Sequence, residues 1–300
     1  MIKKMLKRYG TRVGQVIGRP IVRENIDAAN SLSQQIQQSI VLEYTKARQD
    51  GRTFFSNIRD AGFRVYSQFE EDGIILYVLA LIGFGNRRVV EICAGDGTEC
   101  MATNLILNHG FDGFLFDGNK ESVERGIAFF RERKDSFLSP PRFQHAWITV
   151  ENVNRLLREA GATGDVDFFS LDMDGNDYWI WKAIEEIRPR LCVFETHDIV
   201  PSELSLTIRY EPDFYCWNKP DPLKDYRSVS LRAMVRLSRE KGYRLIGAHR
   251  YGFNAFFLRN DTAPELFPEV SIEHVHDNPW TRQGREQRWP RVKDLDWVEV

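Results

Sequence analysis

The chain has 300 residues, 42% hydrophobic and 12% aromatic, enough for one large domain plus additions. Its net charge of −2 gives no general case for nucleic-acid binding. No apolar run approaches the ~18 residues of a membrane span. The four cysteines contain no Cys-x-x-Cys pair, which favours free thiols over disulfides or a zinc site.

The first segment, residues 1–60, reads as a helical extension. Met1 to Arg23 carries Lys3, Lys4, Lys7, Arg8, Arg12, Arg19 and Arg23, and no acid. Ile2, Leu6, Tyr9, Val13 and Val16 recur at near-helical spacing, so two readings stand. One is a basic amphipathic helix on an anionic membrane surface. The other is a helix packed on the domain or a partner, with Gly10, Gly14, Gly18 and Pro20 weakening its continuity. This stretch lacks the uninterrupted apolar region of a secretory signal. A cytoplasmic location is therefore expected, with contact to the inner membrane face left open. A second, polar helix is expected from about Ile26 to Gln49.

The main domain is expected over residues 61–261. The run SQFEEDGIILYVLALIG predicts a helix with Ser67 as N-cap and Gly83 as C-cap. A strand follows in RVVEIC and a helix in MATNLILNHG. The second strand is GFLFDG, followed by a helix from Lys120 to Lys134. The third strand is RFQHAWI, with a helix in ENVNRLLREAG. The fourth is DVDFFSLD, with the helix DYWIWKAIEEI ended by Pro189. The fifth strand is RLCVFET. Apolar strands alternating with helices predict a parallel sheet buried on both faces, an α/β Rossmann-like fold. Residues 201–228 form a long irregular segment with Tyr210, Phe214, Tyr215, Trp217 and Tyr226. A helix in SVSLRAMVRLSREKG follows, and YRLIGAHRYGFNAFFLRN reads as an antiparallel strand pair. Residues 262–300 form a tail of little periodicity.

The stretch VVEICAGDGTE combines a buried strand, an acid and a glycine turn that lets a ligand approach the backbone. A dinucleotide site wants Gly-x-Gly-x-x-Gly, but Cys100 stands at the third position. A P-loop wants a Lys-Ser/Thr pair, which is missing. An S-adenosylmethionine site wants acid-x-Gly-x-Gly-x-Gly. Glu91, Gly95 and Gly97 match it, with Cys93 where glycine is usual. Asp117 ends the second strand, where a carboxylate can accept both ribose hydroxyls. The competing reading is a turn-forming Asp before Gly118. Trp147 and His145 either flank an adenine or, for Trp147, belong to the core. Gln68 and Asp72, one turn apart on the first predicted helix, either reach the cofactor's amino-acid end or are ordinary surface polarity.

LDMDGND places Asp172, Asp174, Asn176 and Asp177 at the ligand-facing end of the fourth strand, beside Glu195 and His197 at the end of the fifth. Asp177 or Asn176 suits a helix cap. The rest offer two chemistries: a direct base, His197 or Asp174, or a Mg²⁺ held by Asp172 and Glu195.

The pieces SQFEEDGII, VVEICAGDGTE, GFLFDG, FFSLDMDGNDYWIWKAI and RPRLCVFETH, in this order, resemble the FkbM-like class I S-adenosylmethionine-dependent methyltransferases. PSELSLTIRYEPDF, SVSLRAMVRLSREKGYRLIG and GFNAFFLRND extend the likeness over roughly residues 66–261. The resemblance implies a seven-stranded sheet ending in an antiparallel hairpin. It also implies O-methylation of a sugar, glycan (a lipid-linked one included) or natural product, with Asp172, Asp174 and His197 as catalytic candidates. Competing classes are a nucleotide-sugar or NAD-dependent oxidoreductase and a non-catalytic interaction protein. A homo-oligomer remains open. The aromatic segment suits an acceptor-binding loop. The tail's Trp280, Trp289 and Trp297 with Arg282, Arg285 and Arg288 suit either an anionic acceptor or packing.

Overall fold

A computed structural model describes residues 31–300. The basic stretch 1–23 therefore lies outside the described residues. The second predicted helix is described over residues 31–49, α1. Six more helices, α2 (Glu71–Ile82), α3 (Thr103–His109), α4 (Lys120–Arg131), α5 (Val153–Ala160), α6 (Asp177–Ala183) and α7 (Leu231–Glu240), alternate with the strands of the main sheet. These strands are β1 (Arg88–Ile92), β2 (Asp112–Asp117), β3 (Arg142–His145), β4 (Gly164–Leu171), β5 (Ile187–Glu195), β7 (Tyr243–Ala248) and β8 (Asn254–Arg259). Their order is β3-β2-β1-β4-β5-β8-β7. β1 to β5 pair in parallel, and β8 runs antiparallel between β5 and β7. This is a mostly parallel, Rossmann-like seven-stranded sheet ending in an antiparallel hairpin, as expected.

Strand periodicity explains the two cores. Val90, Ile92, Phe114, Phe116, Phe169 and Leu171 face the layer containing α5, α6 and α7. Their neighbours Val89, Leu115 and Phe168 face the layer containing α1, α2 and α3. Successive side chains point to opposite faces, so an apolar run without alternation is what a doubly covered strand requires. Every residue of α2 is buried, as its apolar composition demands.

Several details differ from the sequence expectations. The N-cap position of α2 is Glu70, not Ser67, although Ser67 Oγ accepts from Asp72 N (3.1 Å) in the first turn. Helix α6 ends at Ala183 rather than at Pro189, and Pro189 lies inside β5 opposite Val166. Pairing of β5 with β8 begins only at Leu191, so the missing N–H of Pro189 leaves no gap on that side. The long segment and the tail are not irregular throughout. β6 (Leu206–Ile208) pairs with β9 (Trp297–Glu299), and helices α8 (Ile272–His276) and α9 (Pro279–Gln287) lie between the main sheet and β9. Tyr226, Trp289 and Trp297 pack together there.

At the end of the sheet away from the acid cluster, Asp167 is fully buried. It accepts from Gly85 N (2.8 Å), Arg87 N (2.9 Å) and Arg190 Nη1 (2.9 Å). Removing one partner of such a pair strands the other charge. Asp167→Ala is expected to cost about 3–5 kcal/mol in urea unfolding. Asp165→Ala, whose ion pairs are half exposed, should cost no more than about 1 kcal/mol. Equal losses at the two positions would refute this account of the sheet's lower end.

Candidate active site

The carboxyl ends of β1, β2, β4 and β5 converge where the strand order reverses between β1 and β4, the expected ligand crevice of such a sheet. A cleft of about 360 Å³ opens there, lined by Cys93, Asp117, Gly118, Trp147, Asp172 and Asp174, among others. Its far wall is Phe214, Tyr215 and Trp217 from the segment before α7.

The glycine turn is held by buried acids. Glu91 accepts from Met101 N (3.1 Å), Ala102 N (2.6 Å) and Cys100 Sγ (3.0 Å), pinning the chain that enters α3. Burial pushes its pKa up to about 7. Glu91 therefore shapes the turn from behind and does not line the cleft. Cys93 adopts φ 67°, the left-handed region that glycine prefers. Its side chain opens onto the crevice. The surrounding protein, then the Asp117 and Asp172 carboxylates, push its thiol well above the usual range, so it stays neutral. Gly95 also has positive φ, and a Cβ there would meet nothing within 4 Å. A Cβ at Gly97 would instead press on the Phe130 ring.

Asp117 accepts from Gly95 N (2.8 Å) through one oxygen and Asn119 N (2.7 Å) through the other. Burial raises its pKa. Gly118 packs under the Trp147 ring, where a Cβ would lie 2.8 Å from Cε3. Trp147 is half exposed, and its Nε1 donates to Pro212 O (2.7 Å). It belongs to the cleft wall and not to the core. His145 Nε2 donates to Gly118 O (3.1 Å) in the same turn.

Gln68 and Asp72 part company. Gln68 precedes α2 instead of lying on it and lines a second cleft. Asp72 is buried and accepts from the N–H groups of Val65, Tyr66 and Ser67 at 2.6–2.7 Å. Its neighbours are likewise fastened: Glu70 to Arg250, and Glu71 to Asn254 Nδ2 (2.7 Å). The SQFEEDG acids thus tie the start of α2 to the chain before it and to the β7–β8 hairpin.

Asp172, Asp174 and Glu195 bring ligand atoms within 4.8 Å of one another, a set that can hold a metal ion. Arg227 sits among them, hydrogen-bonded to Asp174 and 4.0 Å from Glu195. Trp217 Nε1 donates to the other Asp174 oxygen (2.8 Å). Burial, then repulsion from neighbouring acids, pushes the pKa of both Asp172 and Glu195 well up. Asp177 accepts from Met173 N (2.8 Å) and Gly175 N (3.0 Å), so it holds the preceding turn rather than capping α6, and Asn176 at the N-cap position makes no side-chain cap bond. His197 is buried, and its Nε2 donates to Asp225 O (2.7 Å). Burial and the Arg227 charge lower its pKa to about 3. It is a weak base held as a hydrogen-bond donor.

The second cleft, about 520 Å³, is lined by Gln68, Glu195, His197, Arg227, Phe253 and Trp280, among others. It shares Asp172, Asp174 and Trp217 with the first. Of the segment's aromatics, Tyr210 pins it to Glu151 and Tyr226 to the tail, leaving Phe214, Tyr215 and Trp217 at the cleft. Arg227 was not singled out by the sequence. It is one arginine in an irregular segment, 53 residues from its partner Asp174.

The strain at Cys93 is testable. Cys93→Gly should stabilise the fold by between 0 and about 1 kcal/mol in urea unfolding, because relief of the left-handed backbone outweighs the added freedom of the unfolded chain. Cys93→Val should destabilise it, since a β-branched residue tolerates this φ least. A marked loss with glycine would show that thiol contacts hold the turn.

No known protein family matches this sequence, and no curated protein matches it. Several solved structures are similar to parts of this chain at low identity. One is an S-adenosylmethionine-dependent methyltransferase from Clostridium acetobutylicum: 10% identity, 60% of this chain and 87% of that one, TM-score 0.38. Magnesium protoporphyrin IX methyltransferase from Synechocystis with bound SAM shows 9% identity over 63% and 77%, TM-score 0.40. The N-terminal domain of EvdMO1 with SAH and D-fucose shows 12% identity over 72% and 95%, TM-score 0.42.

Proposed function

We propose that this chain is an O-methyltransferase that uses S-adenosylmethionine to methylate a hydroxyl of a sugar, glycan or natural product. The observation that carries this reading is the meeting of two clefts at Asp172, Asp174 and Trp217. One cleft has the features of a cofactor site, and the other gives an acceptor a route to the same acids.

The first cleft fits the cofactor. Each Asp117 oxygen accepts one backbone N–H and keeps a lone pair for a ribose hydroxyl. Trp147 offers a flat face beside Gly118, and Gly95 leaves open space. The acids at the inner end suit a positively charged sulfonium. When bound, that group supplies the methyl and the leaving group.

The chain's own residues then orient the acceptor and remove its proton. Trp217 and Trp280 present exposed faces to the second cleft, suited to stacking on an acceptor. Asp174 is held by Arg227 and Trp217, which fixes its position. Asp172 borders both clefts and bonds to Glu195, so it is the better placed base. It takes the hydroxyl proton, and the pair shares it. His197, neutral and tied to Asp225, positions the loop instead. The Arg227 guanidinium supplies the positive charge that a divalent ion would bring, which favours direct proton removal over metal assistance.

The test is methyl transfer from labelled S-adenosylmethionine to a panel of sugars and lipid-linked glycans. A base with a raised pKa must lose its proton to work, so turnover should rise as pH rises through neutrality. Asp172→Asn should lower kcat on the order of 10²–10⁴-fold and flatten that rise. EDTA should leave turnover unchanged. Loss of activity in EDTA, restored by Mg²⁺, would assign the acids to a metal. A full pH profile in Asp172→Asn would remove it as the base.

A further inference from the structure

The large apolar side chains exposed among the described residues fall into two groups. Trp147, Tyr215, Trp217 and Trp280 line the two clefts, and Leu223 lies in the same segment. The other six, Leu32, Ile36, Leu42, Phe54, Phe137 and Leu138, have no part in the site. Leu32, Ile36 and Leu42 lie on α1, and Phe54 packs on Tyr44 of the same helix. Its inner face is anchored through buried Gln37, Tyr44 and Ala47. Leu32 (58% exposed), Ile36 (52%) and Leu42 (56%) stand on its solvent side, within about a third of the helix circumference at 100° per residue. Gln34 Nε2 donates to Asp135 Oδ1 (2.8 Å), which ties α1 to the loop that carries Phe137 and Leu138. Leu138 is the most exposed of all, at 86%.

From this face we infer that the α1 side of the molecule docks on an anionic lipid surface. The charge of the adjoining chain selects that occupant. Seven of the protein's 41 lysines and arginines lie in residues 1–23, and none of its 43 acids does. A chain with net charge −2 thus concentrates positive charge ahead of the exposed apolar residues of α1, separated from Leu32 by eight residues that include Glu24 and Asp27. Apolar side chains beside a basic stretch are what an anionic bilayer interface takes up. Gln35 and Ser39 separate the apolar residues along α1, which suits shallow insertion better than a tightly packed protein interface. The inference is independent of the methyltransferase reading.

The test uses the full chain with vesicles of pure phosphatidylcholine and of phosphatidylcholine with 30% phosphatidylserine. The chain should sediment with the anionic vesicles at least fivefold more than with the neutral ones, and 0.5 M NaCl should reduce this. The triple variant Leu32→Glu, Ile36→Glu, Leu138→Glu should lose most of the binding while its unfolding midpoint and S-adenosylhomocysteine affinity match the parent. Equal sedimentation on both vesicle types would overturn the inference, as would a triple variant that binds like the parent. A parent that is dimeric in solution and becomes monomeric in the variant, with no vesicle binding in either, would assign the face to a second copy of the chain.

Discussion

Three carboxyl groups, Asp172, Asp174 and Glu195, crowd the ends of β4 and β5, and the site depends on how their charge is managed. Bringing ionised acids this close in a partly dry crevice is costly unless a proton or a cation stays among them. Both means are used. Arg227 binds Asp174 and faces Glu195, while Asp172 and Glu195 are driven toward holding a proton between them. Arg227 comes from the aromatic segment, so the charge balance of the strand ends also fixes that segment over the crevice. The same segment supplies Trp217 to both clefts.

A second constraint is backbone geometry. The turns after β1 and β4 both pass through left-handed residues that are not glycine, Cys93 and Asp174. Buried carboxylates hold these turns by accepting N–H groups: Glu91 and Asp117 for the first, Asp177 for the second. Acids that look like ligand contacts in the sequence are thus divided between two tasks. Asp117 and Asp172 border open space, whereas Glu91, Asp177 and Asp72 work inside the protein. The tail reinforces the arrangement, since β9 pairs with β6 and Arg288 bonds to Asp225, whose carbonyl holds His197.

Much of the fold was legible because it depends on local pattern. Apolar runs such as FFSL and LCVF marked strands covered on both faces. Gly110 and Gly161 ended helices with left-handed backbone. The exceptions depend on distant partners. Ser67 stands three residues before the N-cap position, yet its Oγ reaches forward to accept from Asp72 N in the first turn of α2. Pro189 was tolerated in β5 because β8 pairing begins two residues later. β6 and β9 are three residues each, too short to show a period. In the site, Asp117, Trp147, Asp172 and Asp174 stood out from their positions at strand ends. Arg227 did not, because only the folded chain brings it to Asp174.

We propose that the cleft at the carboxyl ends of β1, β2 and β4 is built for an adenosyl sulfonium cofactor. Isothermal titration of the intact protein with S-adenosylmethionine, S-adenosylhomocysteine and NAD, in parallel with Asp117→Ala, tests it most directly. The account predicts binding of the first two ligands, none of NAD, and at least tenfold weaker binding in Asp117→Ala. Binding of NAD alone, or S-adenosylhomocysteine affinity unchanged by the loss of Asp117, would contradict it.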